Sequence, residues 1–297
     1  MIAYHMHPAD KLYEPLETCG IARCTHPAED NNAINEQVIA MLQSRITDYM
    51  ALENLCGVSK RATIPLNIPF TVDFDGAEQL AAMIRMHCGI GLAVVFDYIE
   101  MLENNGLRVI FANLPEKIES LSFFDAINTN AFIVVSESLS PERQLFKIMF
   151  ELANIFLYTR NDDTIVHDTD ANRHFAKHFA AVMLMPREAV LGTIVQLGIL
   201  PEQWTYDYLL RIKSRFGVSA EAFAYRLFEL NLLPKDGSLL NALIKQINSH
   251  YSKTSYGEPG EKCRHLSKNA RFTDLLFCAK LDPDNAEEVK KISTRFT

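Results

Sequence analysis

The sequence predicts an α+β fold that is mostly helical and contains one small antiparallel sheet. Two segments, 33–55 and 142–158, repeat apolar residues at the spacing of a helix face. Between them lie three short apolar runs of strand length, at 107–112, 121–126 and 131–136. The turn residues Asn128-Thr129-Asn130 separate the last two runs and predict a hairpin. With 297 residues, 48% of them apolar, the chain has ample material for a core.

The first third of the chain leads from a polar segment into short helices. Residues 1–30 are polar and interrupted by proline, so we predict a loosely structured lead-in. Residues 62–74 contain two prolines and are predicted to be extended, because the residue before a proline avoids helical geometry. Asn105-Gly106 is a helix-ending pair. Two helices are therefore predicted here, at 76–87 and 94–104.

The second half of the chain is predicted to be helical. Ser140 is an N-cap residue, and Pro141 suits the first turn of the helix at 142–158. That helix is apolar on nearly all sides, which indicates that protein surrounds it. Further helices are predicted near 187, on both sides of the turn at 216–219, at 239–251, at 269–278 and after 284. We expect three parts: a lead-in with a long helix at 1–75, a domain at 76–233 and a helical extension at 234–297.

A family resemblance is carried by the pentad Phe150-Glu151-Leu152-Ala153-Asn154 and by the phrase HFAAVMLMP at 178–186. Helical zinc sites place two histidines four residues apart, and a glutamate beside the first acts as general base. Together with YMALENL at 49–55 and GEPGEKCRHL from Gly257, these phrases resemble the ImmA/IrrE family of zinc-dependent metallo-endopeptidases. The resemblance implies a zincin-like domain whose small sheet lies beside the metal helix and could bind an extended peptide at its edge.

The resemblance also implies that the zinc ligands have been replaced. The three ligand positions correspond to Phe150, Asn154 and Phe175, and Glu151 stands at the general-base position. A phenyl ring cannot donate an electron pair to zinc, and an amide is a poor ligand. We therefore expect no metal and no other cofactor. The two phenylalanines would face each other and fill the former metal site, or would line an open apolar pocket.

Glu151 has two interpretations. It is either a general base that has been retained, or a buried carboxylate satisfied by hydrogen bonds near Asn154 or by a cation such as Arg173, Lys177 or His178. We favour the second, because a base without a metal-bound water has nothing to activate.

A displaced zinc site is the alternative to metal loss. Asp170, His174 and His178 follow one another at intervals of four, which places them on one helix face, and His167 and Asp168 precede them. Such spacings also arise by chance, so the alternative ranks second.

Bulk composition narrows the function. The net charge of −8 argues against broad attraction to nucleic acid, and the N-terminal sequence has no signal-peptide pattern, so we expect a cytoplasmic protein without membrane contact. The six cysteines form no C-x-x-C pair, which predicts reduced, mostly buried thiols.

These observations and the resemblance imply a catalytically degenerate, peptidase-like protein that binds a regulatory protein or peptide in transcriptional, stress or mobile-element control. Full-length regulators of this type carry a helix-turn-helix domain before the long helix, and from the resemblance we expect this chain to have the sensor or peptidase portion without that domain. Two alternatives stay open. One is an active zinc endopeptidase that uses the displaced ligands. The other is a DNA-binding regulator that uses the hairpin at Phe216 or the basic residues Lys253, Lys262, Arg264, Lys268 and Arg271.

Overall fold

The computed structural model describes residues 21–23, 36–58, 61–66, 68–116, 118–125, 129–160, 169–260 and 265–296. The strands in these ranges are β1 (Ile21–Arg23), β2 (Leu107–Ala112), β3 (Ser120–Asp125) and β4 (Asn130–Ser136). The helices are α1 (Glu36–Leu55), α2 (Phe74–His87), α3 (Tyr98–Asn104), α4 (Pro141–Thr159), α5 (Thr169–Leu184), α6 (Arg187–Leu197), α7 (Tyr206–Phe216), α8 (Ala220–Glu229), α9 (Ser238–Thr254), α10 (Ala270–Lys280) and α11 (Ala286–Phe296). The α+β class is confirmed.

The described strands form one sheet in the order β1-β3-β4-β2. β3 and β4 pair antiparallel, with Asp125 opposite Asn130, which confirms the predicted hairpin. β2 pairs parallel with β4, so that Leu107 lies opposite Ala131 and the sheet is mixed rather than purely antiparallel. The difference arises because the chain crosses from β2 to the far side of β4 before β3 begins, and a parallel pair leaves no turn signal between its strands.

The outer edge of β3 carries a strand from the N-terminal segment. β1 pairs antiparallel with β3, and Ile21 lies opposite Asp125. The predicted lead-in therefore contributes an edge strand. The rest of that prediction, at 1–20 and 24–30, lies outside the described residues.

Helices cover both faces of the sheet, which gives three layers. One face packs against the core around α4 and α5 through Val109, Phe111, Phe124, Ala131, Ile133 and Val135. The other packs against α1, α10 and α11 through Ile110, Ala112, Leu121, Phe123, Phe132 and Val134. This split follows from the period of two along each strand.

The third layer joins the beginning of the described chain to its end. In α1, Glu53 binds Arg108 of β2 at 2.6 Å and Arg271 of α10 at 2.9 Å. Asp48 of α1 accepts a hydrogen bond from Nε of Arg295 in α11 at 3.2 Å. The division at 75 and 233 stays a prediction; in the structure, helices from both flanking parts pack together on the sheet.

Side chains determine where α3 begins and how the outer edge of β2 is satisfied. The helix predicted at 94–104 begins only at Tyr98, because the Asp97 carboxylate accepts from the backbone N–H groups of Ile99 and Glu100 and caps it there. At the outer edge of β2, Asn269 supplies an acceptor to the N–H of Phe111 at 2.9 Å and a donor to its carbonyl at 3.2 Å. The amide side chain thus replaces a neighbouring strand at that point.

Candidate functional site

The site predicted from the sequence lies on α4, which packs on β3 and β4 on one side and on α5 on the other. Ser140 caps the helix by accepting from the N–H of Arg143, and Pro141 occupies its first turn, as predicted. The apolar residues that point into the core are Leu145, Ile148, Met149, Leu152, Ile155 and Phe156. The helix is therefore held rigidly within the core.

Glu151 is buried, with an exposed fraction of 1%, and its carboxylate is fully engaged. Oε1 accepts from the hydroxyl of Ser120 at 2.7 Å, and Oε2 accepts from Ser122 at 2.7 Å and from Asn154 at 3.0 Å. In the described part of the chain these donors are all neutral. The carboxylate is therefore not paired with any of the predicted cations, Arg173, Lys177 or His178. The carboxylate links α4 to β3, an arrangement that offsets the cost of burying it.

The two serines were not anticipated from the sequence. They occupy alternate positions of β3, so both point to the face that packs on α4. A signal was present, since a run reading SLSFFD places two small polar residues on one face of an otherwise apolar strand. Buried polar positions of this kind predict a polar partner on the neighbouring element.

The three positions that correspond to zinc ligands have different surroundings. Phe175 is buried and stacks on Phe70, with ring centroids 5.1 Å apart. The ring of Phe150 is half-buried and is contacted by the ammonium of Lys147 at 5.2 Å. The arrangement of Phe150 relative to Phe175, facing each other or lining an open pocket, stays a prediction.

The chemistry of these side chains does not fit zinc. Asn154 uses its amide nitrogen as a donor to Glu151, and the other two positions offer only hydrocarbon rings. A cation, Lys147, already lies over one of these rings, where a second positive charge would be repelled. We derive no metal-dependent step from this site.

The alternative ligands form no metal site in the described part of the chain. Asp170 is exposed and pairs with Arg173 at 3.4 Å, and His174 is exposed, whereas His178 is buried. Among the described residues, no three His, Cys, Asp or Glu side chains form a group that could hold a metal ion. His167 and Asp168 lie outside the described residues.

His178 instead belongs to a buried polar cluster that joins α2, α5 and α8. Its two ring nitrogens lie 3.4 Å from carboxylate oxygens of Glu78 and Glu229, a distance and alignment typical of an ionic contact rather than a well-formed hydrogen bond. Arg226 contacts the same two carboxylates at 3.0 and 3.2 Å. Burial lowers the pKa of His178, but the carboxylates of Glu229 and Glu78 outweigh it and raise that pKa above its usual value.

The hairpin at Phe216 is a packing element. α7 ends at Phe216 with Gly217 as its C-cap, and Ser219 caps α8 by accepting from the N–H of Ala222. Phe216 stacks on Phe223 at 5.7 Å, and Phe223 also contacts Trp204. A recognition helix would present polar side chains to bases at these positions. The hairpin therefore does not support the DNA-binding alternative.

Two basic residues of the C-terminal part, Lys268 and Arg271, have internal partners. Arg271 binds Glu53, and Lys268 lies over the ring of Phe111 at 5.5 Å. Lys262 and Arg264 lie outside the described residues. No basic surface for nucleic acid is evident from the residues that can be placed.

The edge of the sheet nearest Glu151 is not free. β3 supplies both serines that bind this carboxylate, and β1 covers the outer edge of β3. An extended peptide that added to β3 would have to replace β1.

In the described chain, no single helix is long and apolar enough to cross a membrane. Taken together, the bent pair α5 and α6 has the length and apolar composition of a membrane-spanning segment. The apolar residues of α5, however, belong to the core.

Comparison with known proteins gives one family match. Residues 102–228 match the sequence model described as the IrrE N-terminal-like domain, and the match lies within the predicted domain at 76–233. A solved structure titled "Mycobacterium tuberculosis transcriptional regulator" shares 19% identity, with a TM-score of 0.37 over 61% of this chain and 51% of that chain. This chain thus spans about half the length of that protein, and the likeness is too low to support an inference. No curated protein matches the chain.

Proposed function

We propose that the chain is a regulatory protein that has kept a peptidase fold, has lost its zinc and acts by binding a partner protein, since residues 102–228 match the IrrE N-terminal-like domain. The observation that carries the proposal is the state of Glu151. Its carboxylate accepts hydrogen bonds from Ser120, Ser122 and Asn154, and the residue types at the three former ligand positions could not hold the metal-bound water that a general base would activate. Transcriptional, stress or mobile-element control is the setting that the family resemblance implies.

Metal content of the purified, tag-free protein tests the loss of zinc. We expect no stoichiometric metal by elemental analysis, and we expect the protein to stay folded in a chelator. Stoichiometric zinc would overturn the proposal and favour an active peptidase that uses Asp170, His174 and His178, whose replacement by alanine should then remove the metal.

Restoring the ligands should restore zinc binding. We expect the combined changes Phe150→His, Asn154→His and Phe175→Glu to yield a protein that binds zinc stoichiometrically, because histidine, histidine and glutamate would then occupy the positions of a helical zinc site. Zinc should also raise the unfolding temperature of this variant, since Phe175→Glu places a carboxylate in the core that only a cation can satisfy.

The matched control replaces the same three residues by alanine, which removes the rings and the amide without adding ligands. Zinc should neither bind to this control nor stabilise it. A folded triple-ligand variant that took up no zinc would contradict the correspondence of the three positions.

An exposed apolar surface supports a binding role. Met86 at the end of α2 is 71% exposed, and Phe96 in the loop before α3 is 89% exposed. The buried Arg85 donates to the carbonyls of Gly91 and Ala93, which folds this loop back onto the end of α2. The surface, which we call the α2–α3 rim, consists of Met83, Met86, Leu92, Val94 and Phe96. Exposed apolar clusters of this kind mark interaction sites.

Charge placed on the α2–α3 rim should abolish partner binding. We expect the double change Met86→Glu and Phe96→Glu to lose a protein that the wild type captures from cells of the source organism, as measured by quantitative mass spectrometry. Leu281→Glu is the matched control, because Leu281 is equally exposed but lies after α10. Equal capture by all three proteins would contradict this assignment of the surface.

A further inference from the structure

Two cysteine side chains meet where the end of α1 packs on α10. Cys56 follows α1, and its Sγ donates a hydrogen bond to the backbone carbonyl of Leu275 at 3.3 Å. Cys278 lies one helical turn beyond Leu275 on the same face of α10, which places its thiol beside that of Cys56. The two thiols therefore come together in space although they are far apart in the sequence.

The surroundings of the two thiols differ. Cys278 is exposed, whereas Cys56 is half-buried. Burial, followed by the hydrogen bond with Cys278, raises the pKa of Cys56 to about 11, so this thiol stays protonated at neutral pH. An oxidant that arrives from solvent therefore meets Cys278 first. The expectation that the thiols are mostly buried is wrong for the described cysteines Cys56, Cys88 and Cys278, none of which is fully covered.

We propose that Cys56 and Cys278 form a reversible, peroxide-dependent disulfide that locks α10 onto the end of α1. In the first step, the Cys278 sulfur attacks one oxygen of a hydroperoxide, the O–O bond breaks, and the products are a sulfenic acid and water or an alcohol. In the second step, the Cys56 sulfur attacks the sulfenic sulfur, the S–O bond breaks, the thiol proton leaves with the oxygen, and water is released. Two thiols are oxidised and one peroxide is reduced.

The bond would close between two helices that the fold already holds together. α10 contacts α1 along the third layer, and Arg271 of α10 binds Glu53 near the end of α1. Disulfides that form between preorganised partners need little backbone movement. Oxidation would fix α10 on the sheet, and exchange with a dithiol reductant would release it. This inference is independent of the proposed function.

Peptide mapping of the full chain tests the proposal. The reduced protein is treated with hydrogen peroxide, its remaining thiols are alkylated, and non-reducing digests are analysed by mass spectrometry. We expect a peptide pair that joins Cys56 to Cys278, the loss of two hydrogens, and full reversal by dithiothreitol. Denaturant unfolding of the oxidised protein should have a higher midpoint than that of the reduced protein.

Three single changes make the test specific. Cys278→Ser should abolish the link and leave Cys56 unmodified, whereas Cys56→Ser should leave a sulfenic acid on Cys278 that dimedone traps. Cys88→Ser, at a half-buried thiol elsewhere, should leave the link intact. The wild-type map decides the matter even if a variant fails to fold. Free thiols at both positions after peroxide treatment, or links to Cys19, Cys24 or Cys263 in their place, would overturn the proposal.

Discussion

Replacing Glu258 by alanine should lower the free energy of unfolding by about 3–5 kcal/mol, because it removes the carboxylate that pairs with the buried ammonium of Lys213. Lys213 is fully buried and lies 2.9 Å from Oε1 of Glu258. The same carboxylate accepts from the N–H of Ala220 at 2.7 Å and from the hydroxyl of Tyr251 at 3.0 Å. Glu258 therefore fastens the loop after α9 to α7 and α8. Urea unfolding monitored by circular dichroism measures the change.

Two comparisons separate this cause from a general effect of losing a glutamate. Glu287→Ala removes an exposed partner of Lys291 at the same distance of 2.9 Å, and we expect no measurable change. Adding Lys213→Met to Glu258→Ala should recover part of the lost stability, because no buried charge then remains. A loss no larger than that of Glu287→Ala would show that Lys213 does not depend on Glu258.

Glu103→Gln should stabilise the protein above neutral pH by about 2–3 kcal/mol. Glu103 has an exposed fraction of 5%, and burial raises its pKa to about 7, against the opposing hydrogen bond from Tyr49 at 3.1 Å. The folded state thus holds a proton that the unfolded state releases near the ordinary value of 4.5. The native protein loses stability as pH rises between these values. Glutamine keeps an acceptor for Tyr49 and carries no charge.

Chemical unfolding at pH 8 and at pH 4.5 tests this dependence. The advantage of Glu103→Gln should be largest at pH 8 and should fall toward zero at pH 4.5, where the native carboxyl is already neutral in the folded state. Glu100→Gln, an exposed change on the same helix, is the control and should show no such trend. An advantage of equal size at both pH values would contradict the raised pKa.

The sequence predicted the elements well where the signal was local. β2 was predicted at its observed bounds, and Ser140, Ser219 and Asn130 mark observed element boundaries, because capping and turn formation depend on neighbouring residues. The pairing of the strands was harder to predict from the sequence. The parallel pairing of β2 with β4 and the addition of β1 depend on contacts between distant segments, which periodicity does not report.

In the candidate site, too, local features were predictable from the sequence and long-range contacts were not. A comparison of residue types predicted that Phe150 and Phe175 cannot bind zinc, since that conclusion needs only their chemistry. The neighbours of these rings were not predictable. Phe175 stacks on Phe70, more than a hundred residues earlier, and Glu151 binds serines of β3 rather than a cation. These contacts are set by packing of helix on sheet, and they appear only when the layers are assembled.

The third layer of the fold also constrains the order in which the chain can fold during its synthesis. α1 is made early, but its apolar face has no complete cover until α10 and α11 have left the ribosome. The bond between Asp48 and Arg295 closes a separation of 247 residues, and that between Cys56 and Leu275 closes 219. Contacts of such range form slowly and leave apolar surface exposed meanwhile. We therefore expect the nascent chain to need a chaperone on α1 until synthesis is nearly complete.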